Sequence, residues 1–126
     1  MAAPNIVGVN TIVGVTTMVS IANTNTSNVI LSNAASSGKV FKINNVTAVN
    51  ISNGLASADT TIKITNQAAG AGTSFSLVNA VSIPAGASLV VVGKDNPFYL
   101  EENRSIIALA STSNYIGIIC SYESIS

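Results

Sequence analysis

Apolar residues in this chain come in short alternating runs, each ended by residues that favour turns. A period of two places every second side chain on one face of an extended strand. No window of the sequence shows the 3.6-residue period of an amphipathic helix. The runs follow one another at intervals of about 8–12 residues, which is typical of antiparallel sandwiches and barrels. The sequence therefore predicts an all-β fold, an antiparallel β-sandwich of about eight strands with jelly-roll-like topology.

Three runs give specific predictions of which side chains face the core. Residues 89–92 are continuously apolar, which predicts a strand covered on both faces. Residues 84–86 (PAG) predict a turn with Pro84 at its first central position. The expected core positions are Phe41, Ile43, Val49 and Ile51 in one strand, Phe75, Leu77, Val81 and Ile83 in a second, and Ile116, Ile118, Cys120 and Tyr122 in the last. Lys42, Asn44 and Asn50 are expected on the outer face of the first of these strands.

The scarcity of charge limits the kinds of partner that the chain can have. Charged residues make up 8% of the 126 residues, five of each sign, where soluble domains average about 25%. Zero net charge favours association, so we expect a building block whose faces are covered by other subunits. The absence of a Lys/Arg cluster argues against nucleic-acid binding. The apolar runs are too short to cross a membrane, and the first residues lack the cationic region of a secretory signal.

The first 30 residues form a segment with its own pattern. Residues 6–11 (IVGVNT) and 12–17 (IVGVTT) are two copies of a short imperfect repeat. One interpretation is a long strand, or two paired segments, with glycine kinks. The other is an arm that adds itself to the sheet edge of a neighbouring subunit. We therefore divide the chain into an N-terminal arm or strand segment, residues 1–30, and a β-sandwich domain, residues 31–126. The predicted contacts of the arm are Ile6, Val7, Ile12 and Val13.

The sequence predicts no catalytic, cofactor-binding or metal-binding residues. Without histidine there is no Ser-His-Asp or Cys-His arrangement. The single cysteine, Cys120, has apolar neighbours and is expected to be a small buried hydrophobic residue. The five carboxylates show no calcium-loop spacing. We therefore expect a protein that is not an enzyme.

The segment from Lys94 to Arg104 concentrates the distinctive side chains of the chain. It holds five of the ten charged residues and two of the six aromatic residues. One interpretation is a solvated turn beside a strand. The other is a docking rim, with Tyr99 as an aromatic anchor and Lys94, Glu101 and Arg104 fixing the register of a partner. Both interpretations can hold together.

Four segments of the chain carry a resemblance to a known group of proteins. They are residues 40–46 (VFKINNV), 83–91 (IPAGASLVV), 98–102 (FYLEE) and 121–125 (SYESI). Together they resemble small virion structural proteins of tailed phages, most closely those of marine cyanophages, over the region from Lys39 to the C-terminus. The resemblance implies a compact β-sandwich without enzymatic activity that decorates a capsid or joins the neck and tail. Relatives often have Glu-Gly-Asp where this chain has Glu101-Glu102-Asn103.

These observations lead to one main functional expectation and two alternatives. The main one is a capsid decoration (cement) protein that binds the lattice of the major capsid protein as a homo-oligomer, with a trimer favoured. Its location would be the virion, assembled in the host cytoplasm. The first alternative is a neck, tail or fibre-base protein of the same virion. The second is a carbohydrate-binding module, which would need exposed aromatic side chains along a groove.

Overall fold

The computed structural model describes residues 8, 10–22, 26–52 and 56–126. Nine strands occupy most of this part of the chain, and a 3₁₀ turn lies at Ala68–Gly70. The prediction of an all-β fold is therefore confirmed. In chain order the strands are β1 (Ile12–Ser20), β2 (Asn28–Asn33), β3 (Val40–Asn50), β4 (Ala58–Thr65), β5 (Ser74–Ile83), β6 (Ser88–Val92), β7 (Phe98–Leu100), β8 (Arg104–Ala110) and β9 (Ile116–Ile125).

Two antiparallel sheets pack face to face. Sheet A has the order β1-β9-β3, and both β6 and β7 pair with β3 along successive parts of its length. Sheet B has the order β2-β8-β4-β5. Most consecutive strands cross from one sheet to the other. This is the strand order of a jelly roll when β6 and β7 are counted as one interrupted strand.

The core lies between the two sheets and is almost entirely aliphatic. The predicted inner face of β9 is confirmed, because Ile116, Ile118 and Cys120 are fully buried. Tyr122 continues this face, with its ring 4.9 Å from that of Phe41. The largest of the other fully buried apolar side chains are Ile21, Ile43, Val46, Ile62, Ile83, Leu100 and Ile106.

A bulge in β3 changes which of its residues face the core. Ile43 pairs with Tyr122 and Asn45 pairs with Ser121, so Asn44 is an extra residue in β3. One extra residue moves every later side chain to the opposite face. The inner positions after the bulge are Val46, Ala48 and Asn50, while Val49 is half-buried and Ile51 is exposed. The predictions that Val49 and Ile51 face the core and that Asn50 faces outward were wrong.

Two other strand predictions fail because the strands lie at sheet edges. Phe75 in β5 is 65% exposed, and the register of β5 against β4 shifts at two points. Val90 in β6 is 59% exposed, so residues 89–92 are not covered on both faces. An edge strand lacks a neighbour on one side, and each sheet of a sandwich has one face open to solvent.

The turn between β5 and β6 lies one residue later than predicted. The N–H of Ala87 donates to the carbonyl oxygen of Pro84 at 3.0 Å. Ala85 and Gly86 are therefore the central residues, and Pro84 precedes them. The positive φ of Gly86 (77°) is the conformation that a type II turn requires at its second central position.

The N-terminal part of the described chain belongs to the sandwich. β1 pairs with β9 over all nine of its residues, and β2 pairs with β8. The predicted boundary between residues 30 and 31 falls inside β2. An exchange of residues 1–30 between subunits stays a prediction.

Two buried asparagines connect the sheets at opposite ends of β3. The Asn33 side chain, at the end of β2, donates to the carbonyl oxygens of Lys39 (2.9 Å) and Leu100 (3.1 Å). The Asn50 side chain, at the end of β3, donates to the carbonyl oxygens of Ala56 (2.9 Å) and Ile83 (2.8 Å). Each amide group thus joins backbone of sheet A to backbone of sheet B.

Candidate interaction surface

The outer face of sheet A carries a row in which three of four side chains are exposed and apolar. Met18 of β1 pairs with Ile119 of β9, Ile119 with Thr47 of β3, and Thr47 with Val90 of β6. Directly paired residues of antiparallel strands point to the same face, so these four side chains form one line across the sheet. Met18 is 75% exposed and Ile119 is 40% exposed.

A shallow groove of about 390 Å³ lies beside this row and is called the apolar groove below. Gly117 lies at its centre, between Ser20 and Val49 in the next row. A Cβ placed on Gly117 would have no atom within 4 Å, so the missing side chain leaves the space above the sheet open. The residues that line the groove are Met18, Val19, Ser20, Val49, Ile51, Gly117, Ile118 and Ile119.

The row on the other side of the apolar line is polar but uncharged. Thr16 pairs with Ser121, and Ser121 pairs with Asn45. The hydroxyl groups of Thr16 and Ser121 are hydrogen-bonded at 3.0 Å, and the hydroxyl of Thr47 donates to Asn45 Oδ1 at 2.7 Å. Three consecutive rows across β1, β9 and β3 therefore carry no charged side chain.

Charge collects at the opposite end of the same face. Lys42 of β3 lies between its two paired residues, Tyr99 of β7 and Glu123 of β9. The Asn44 side chain, at the bulge, donates to Glu123 Oε2 at 3.3 Å. These residues border a depression of about 470 Å³, called the polar depression below. Its lining residues are Lys42, Asn44, Asn45, Lys94, Pro97 and Glu123.

The structure divides the predicted docking rim between the two sheets. Lys94 lines the polar depression, and Tyr99 is exposed beside Lys42. Glu101 is exposed just after β7. Arg104 begins β8 in sheet B, where its Nη1 donates to the carbonyl oxygen of Asn66 at 2.9 Å. Lys94, Tyr99 and Glu101 therefore lie on or beside sheet A, while Arg104 lies in sheet B.

The predicted contacts of the arm are described only in part. Ile12 and Val13 are the first residues of β1, and both are about half exposed. They pair with Ile125 and Ser124 at the end of β9. Ile6 and Val7 lie outside the described residues.

The apolar groove is not evident from the sequence, although part of the signal is present there. If Ile116, Ile118 and Cys120 face the core, Ile119 must face outward. The pairing of Ile119 with Met18 depends on the order β1-β9, which the alternation of a single strand does not reveal.

Two titratable groups of β9 have pKa values that the sandwich raises. Burial raises the pKa of the Cys120 thiol to about 11, so the thiol is protonated at neutral pH. Burial, and then the charge on Cys120, raise the pKa of Tyr122. In the part of the chain that the structure describes, no three His, Cys, Asp or Glu residues are close enough to hold a metal ion. No described helix is long and apolar enough to cross a membrane.

Comparisons with known proteins identify no relative. No family model matches the chain, and no curated protein or solved structure is significantly similar to it. The resemblance to phage virion proteins thus stays a prediction from the sequence, and the outer face of sheet A is the structural feature on which a function can be argued.

Proposed function

We propose that the chain is a non-enzymatic structural protein of a tailed-phage virion, a capsid decoration protein that binds the assembled lattice of the major capsid protein. The observation that carries the proposal is the uncharged outer face of sheet A. Met18, Ile119 and Val90 expose apolar area there, and the three rows around them carry no charge. Exposed apolar patches of this kind mark protein interaction sites.

The arrangement of the face suits passive attachment. Burying an unpaired charge at an interface is costly, and the centre of this face has none to bury. Lys42, Lys94 and Glu123 lie at one end, where rim charges can fix the orientation of a partner. The protein would stabilise the shell by bridging neighbouring capsid subunits through shape complementarity, against the outward pressure of packaged DNA.

The aromatic side chains give less support to a carbohydrate-binding module. The two most exposed aromatic residues of the described chain are Phe75 and Tyr99. Phe75 lies on β5 of sheet B and Tyr99 lies on β7 of sheet A, so they do not line a common groove.

Binding to expanded capsids tests the proposal. Purified protein should co-sediment with expanded capsids of the phage that encodes it. The variant Ile119→Lys places an ammonium group at the centre of the face and should weaken binding at least about tenfold. The matched control is Phe75→Lys, which puts the same charge on an exposed position of sheet B and should bind as the parent does. Failure of the parent protein to bind, or equal binding by Ile119→Lys, would contradict the proposal.

Copy number separates the shell from the tail. Quantifying the chain in purified virions should give hundreds of copies if it decorates the lattice. About a dozen copies would move it to the neck, tail or fibre base, where rings on the tail axis have few subunits.

A further inference from the structure

Among the described residues, β1 forms one edge of sheet A. At the start of β1 the N–H of Thr11 donates to the carbonyl oxygen of Ser126 (3.0 Å), and the N–H of Ser126 donates to that of Thr11 (2.9 Å). Past its end, the N–H of Ile21 donates to the carbonyl oxygen of Ile116 (2.9 Å). In an antiparallel strand the backbone N–H and C=O groups of one residue bond to the neighbour on one side, and those of the next residue point to the other side. Odd-numbered residues therefore bond to β9, and even-numbered ones direct their N–H and C=O groups away from the sheet.

These outward groups have no backbone partner in the described residues, because β1 pairs with β9 alone. The residues concerned are Ile12, Gly14, Thr16, Met18 and Ser20. Their side chains lie on the outer face of sheet A, next to the apolar groove.

β1 lacks the features by which proteins protect a sheet edge. Such features are charged side chains, proline, bulges and very short strands. β1 has nine residues, IVGVTTMVS, without charge or proline, and it keeps one register against β9 throughout. An edge of this kind is a template for another strand.

The other sheet edges in the described chain are interrupted. The pairing of β2 with β8 shifts between Val29 and Leu31, and the pairing of β5 with β4 shifts twice. β6 and β7 are five and three residues long, and the turn that separates them contains Lys94 and Pro97. Among the strands that the structure describes, only β1 presents a long, regular and uncharged edge.

We propose that β1 pairs with β1 of a second copy of the chain, antiparallel, across a two-fold axis at Thr16. The two copies of sheet A then form one continuous sheet. In this register Thr16 faces Thr16 of the second copy, Gly14 faces Met18, and Ile12 faces Ser20. All five outward-facing residues are used, and each pair can exchange two backbone hydrogen bonds.

The edge is complementary to itself, which is why the occupant is a second copy. Met18 is 75% exposed, and the residue opposite it, Gly14, has no side chain and open space where a Cβ would be. Two threonines facing each other are a favourable cross-strand pair. With no charged residue in β1, two identical edges do not repel each other. The inference rests on this edge and does not depend on the virion role.

Charge substitutions at the two-fold axis test the pairing in the isolated protein. Light scattering coupled to size exclusion should give about 25 kDa for the full chain, twice the 12.7 kDa of one copy. Thr16→Lys and Thr16→Glu each place like charges opposite each other, and each should weaken the dimer at least about tenfold. Mixing the two variants should restore a heterodimer, because residue 16 faces itself. The control Ser82→Lys, on the exposed edge strand β5 opposite Asp59, should remain a dimer.

Hydrogen exchange provides a second, independent measurement of the pairing. The amides of the five outward-facing residues should be protected in the parent protein and exchange rapidly in Thr16→Lys. The amides of Val13, Val15, Thr17 and Val19 should be protected in both. A monomer, a trimer, a dimer unaffected by Thr16→Lys, or rapid exchange of the outward amides in the parent would overturn the proposal.

Discussion

The side chain of Asn50 donates to the carbonyl oxygen of Ile83 at 2.8 Å and so joins the end of β3 in sheet A to the end of β5 in sheet B. The same amide also donates to the carbonyl oxygen of Ala56, and Asn50 Oδ1 accepts from the N–H of Ser52 at 3.0 Å. All of the hydrogen-bonding groups around this buried side chain lie at one corner of the sandwich. Asn50, like Asn33 at the other end of β3, therefore joins two layers whose remaining core contacts are mainly aliphatic.

Removal of this side chain should be costly. Asn50→Ala leaves buried backbone groups without partners, and we expect the free energy of unfolding to fall by about 2–4 kcal/mol. Asn33→Ala should have a similar effect at the other end of β3. The control Asn79→Ala changes an exposed asparagine of β5 and should cost less than about 0.5 kcal/mol. Urea unfolding of the three variants measures these differences. Equal stability of Asn50→Ala and Asn79→Ala would contradict the stabilising role of the Asn50 hydrogen bonds.

Two glycines should respond differently to the same substitution. Gly86 has φ of 77° in the β5–β6 turn, so Gly86→Ala should lower stability by about 1–2 kcal/mol. Gly117 lies in β9 with open space above it, and Gly117→Ala should be neutral or raise stability by up to about 1 kcal/mol. Thermal unfolding of both variants gives the comparison. A Gly117→Ala protein less stable than Gly86→Ala would contradict either the positive φ of Gly86 or the open space above Gly117.

The raised pKa of Cys120 predicts a loss of stability in alkaline solution. The thiol ionises near pH 9 in the unfolded chain and near pH 11 in the folded protein. Below pH 9 both states hold the proton and stability does not depend on this group. Above pH 9 the unfolded state loses the proton first, so the free energy of unfolding falls by about 2–3 kcal/mol as the pH rises through 11.

The Cys120→Ala variant isolates this contribution. Its stability at pH 8 should be lower than that of the parent because a buried sulfur is lost. Its further decrease between pH 9 and pH 11 should be smaller by about 2–3 kcal/mol, since the titrating group is absent. Parallel pH profiles for the two proteins would mean that Cys120 is not protected from ionisation.

The sequence predicted the fold class and most strands because alternation is a local property. It could not predict the bulge at Asn44. The extra residue reverses the faces of Val49, Asn50 and Ile51, and the pattern of apolar and polar residues does not mark where it is inserted. It also did not show that β6 is an edge strand. Sheet position is set by long-range pairing, and a continuous apolar run such as residues 89–92 fits either a covered or an edge strand.

The same limit applies to the candidate surface. The predicted roles of Lys94 and Tyr99 in docking stay predictions, and the residues beside them, Lys42 and Glu123, come from β3 and β9. Arg104 is close to them in sequence and lies in the other sheet. Met18 and Ile119 are 101 positions apart and meet only through the pairing of β1 with β9.

The accessibility of position 119 in the free protein and in the virion tests whether the outer face of sheet A is covered by the capsid. Ile119→Cys adds an exposed thiol to a chain whose own Cys120 is buried, so maleimide labelling reports the outer face of sheet A. We expect rapid labelling of the free protein and labelling at least about tenfold slower in purified virions. Phe75→Cys, on sheet B, should be labelled at similar rates in both. Equally rapid labelling of Ile119→Cys in free protein and in virions would show that this face is not covered and would contradict the proposed attachment.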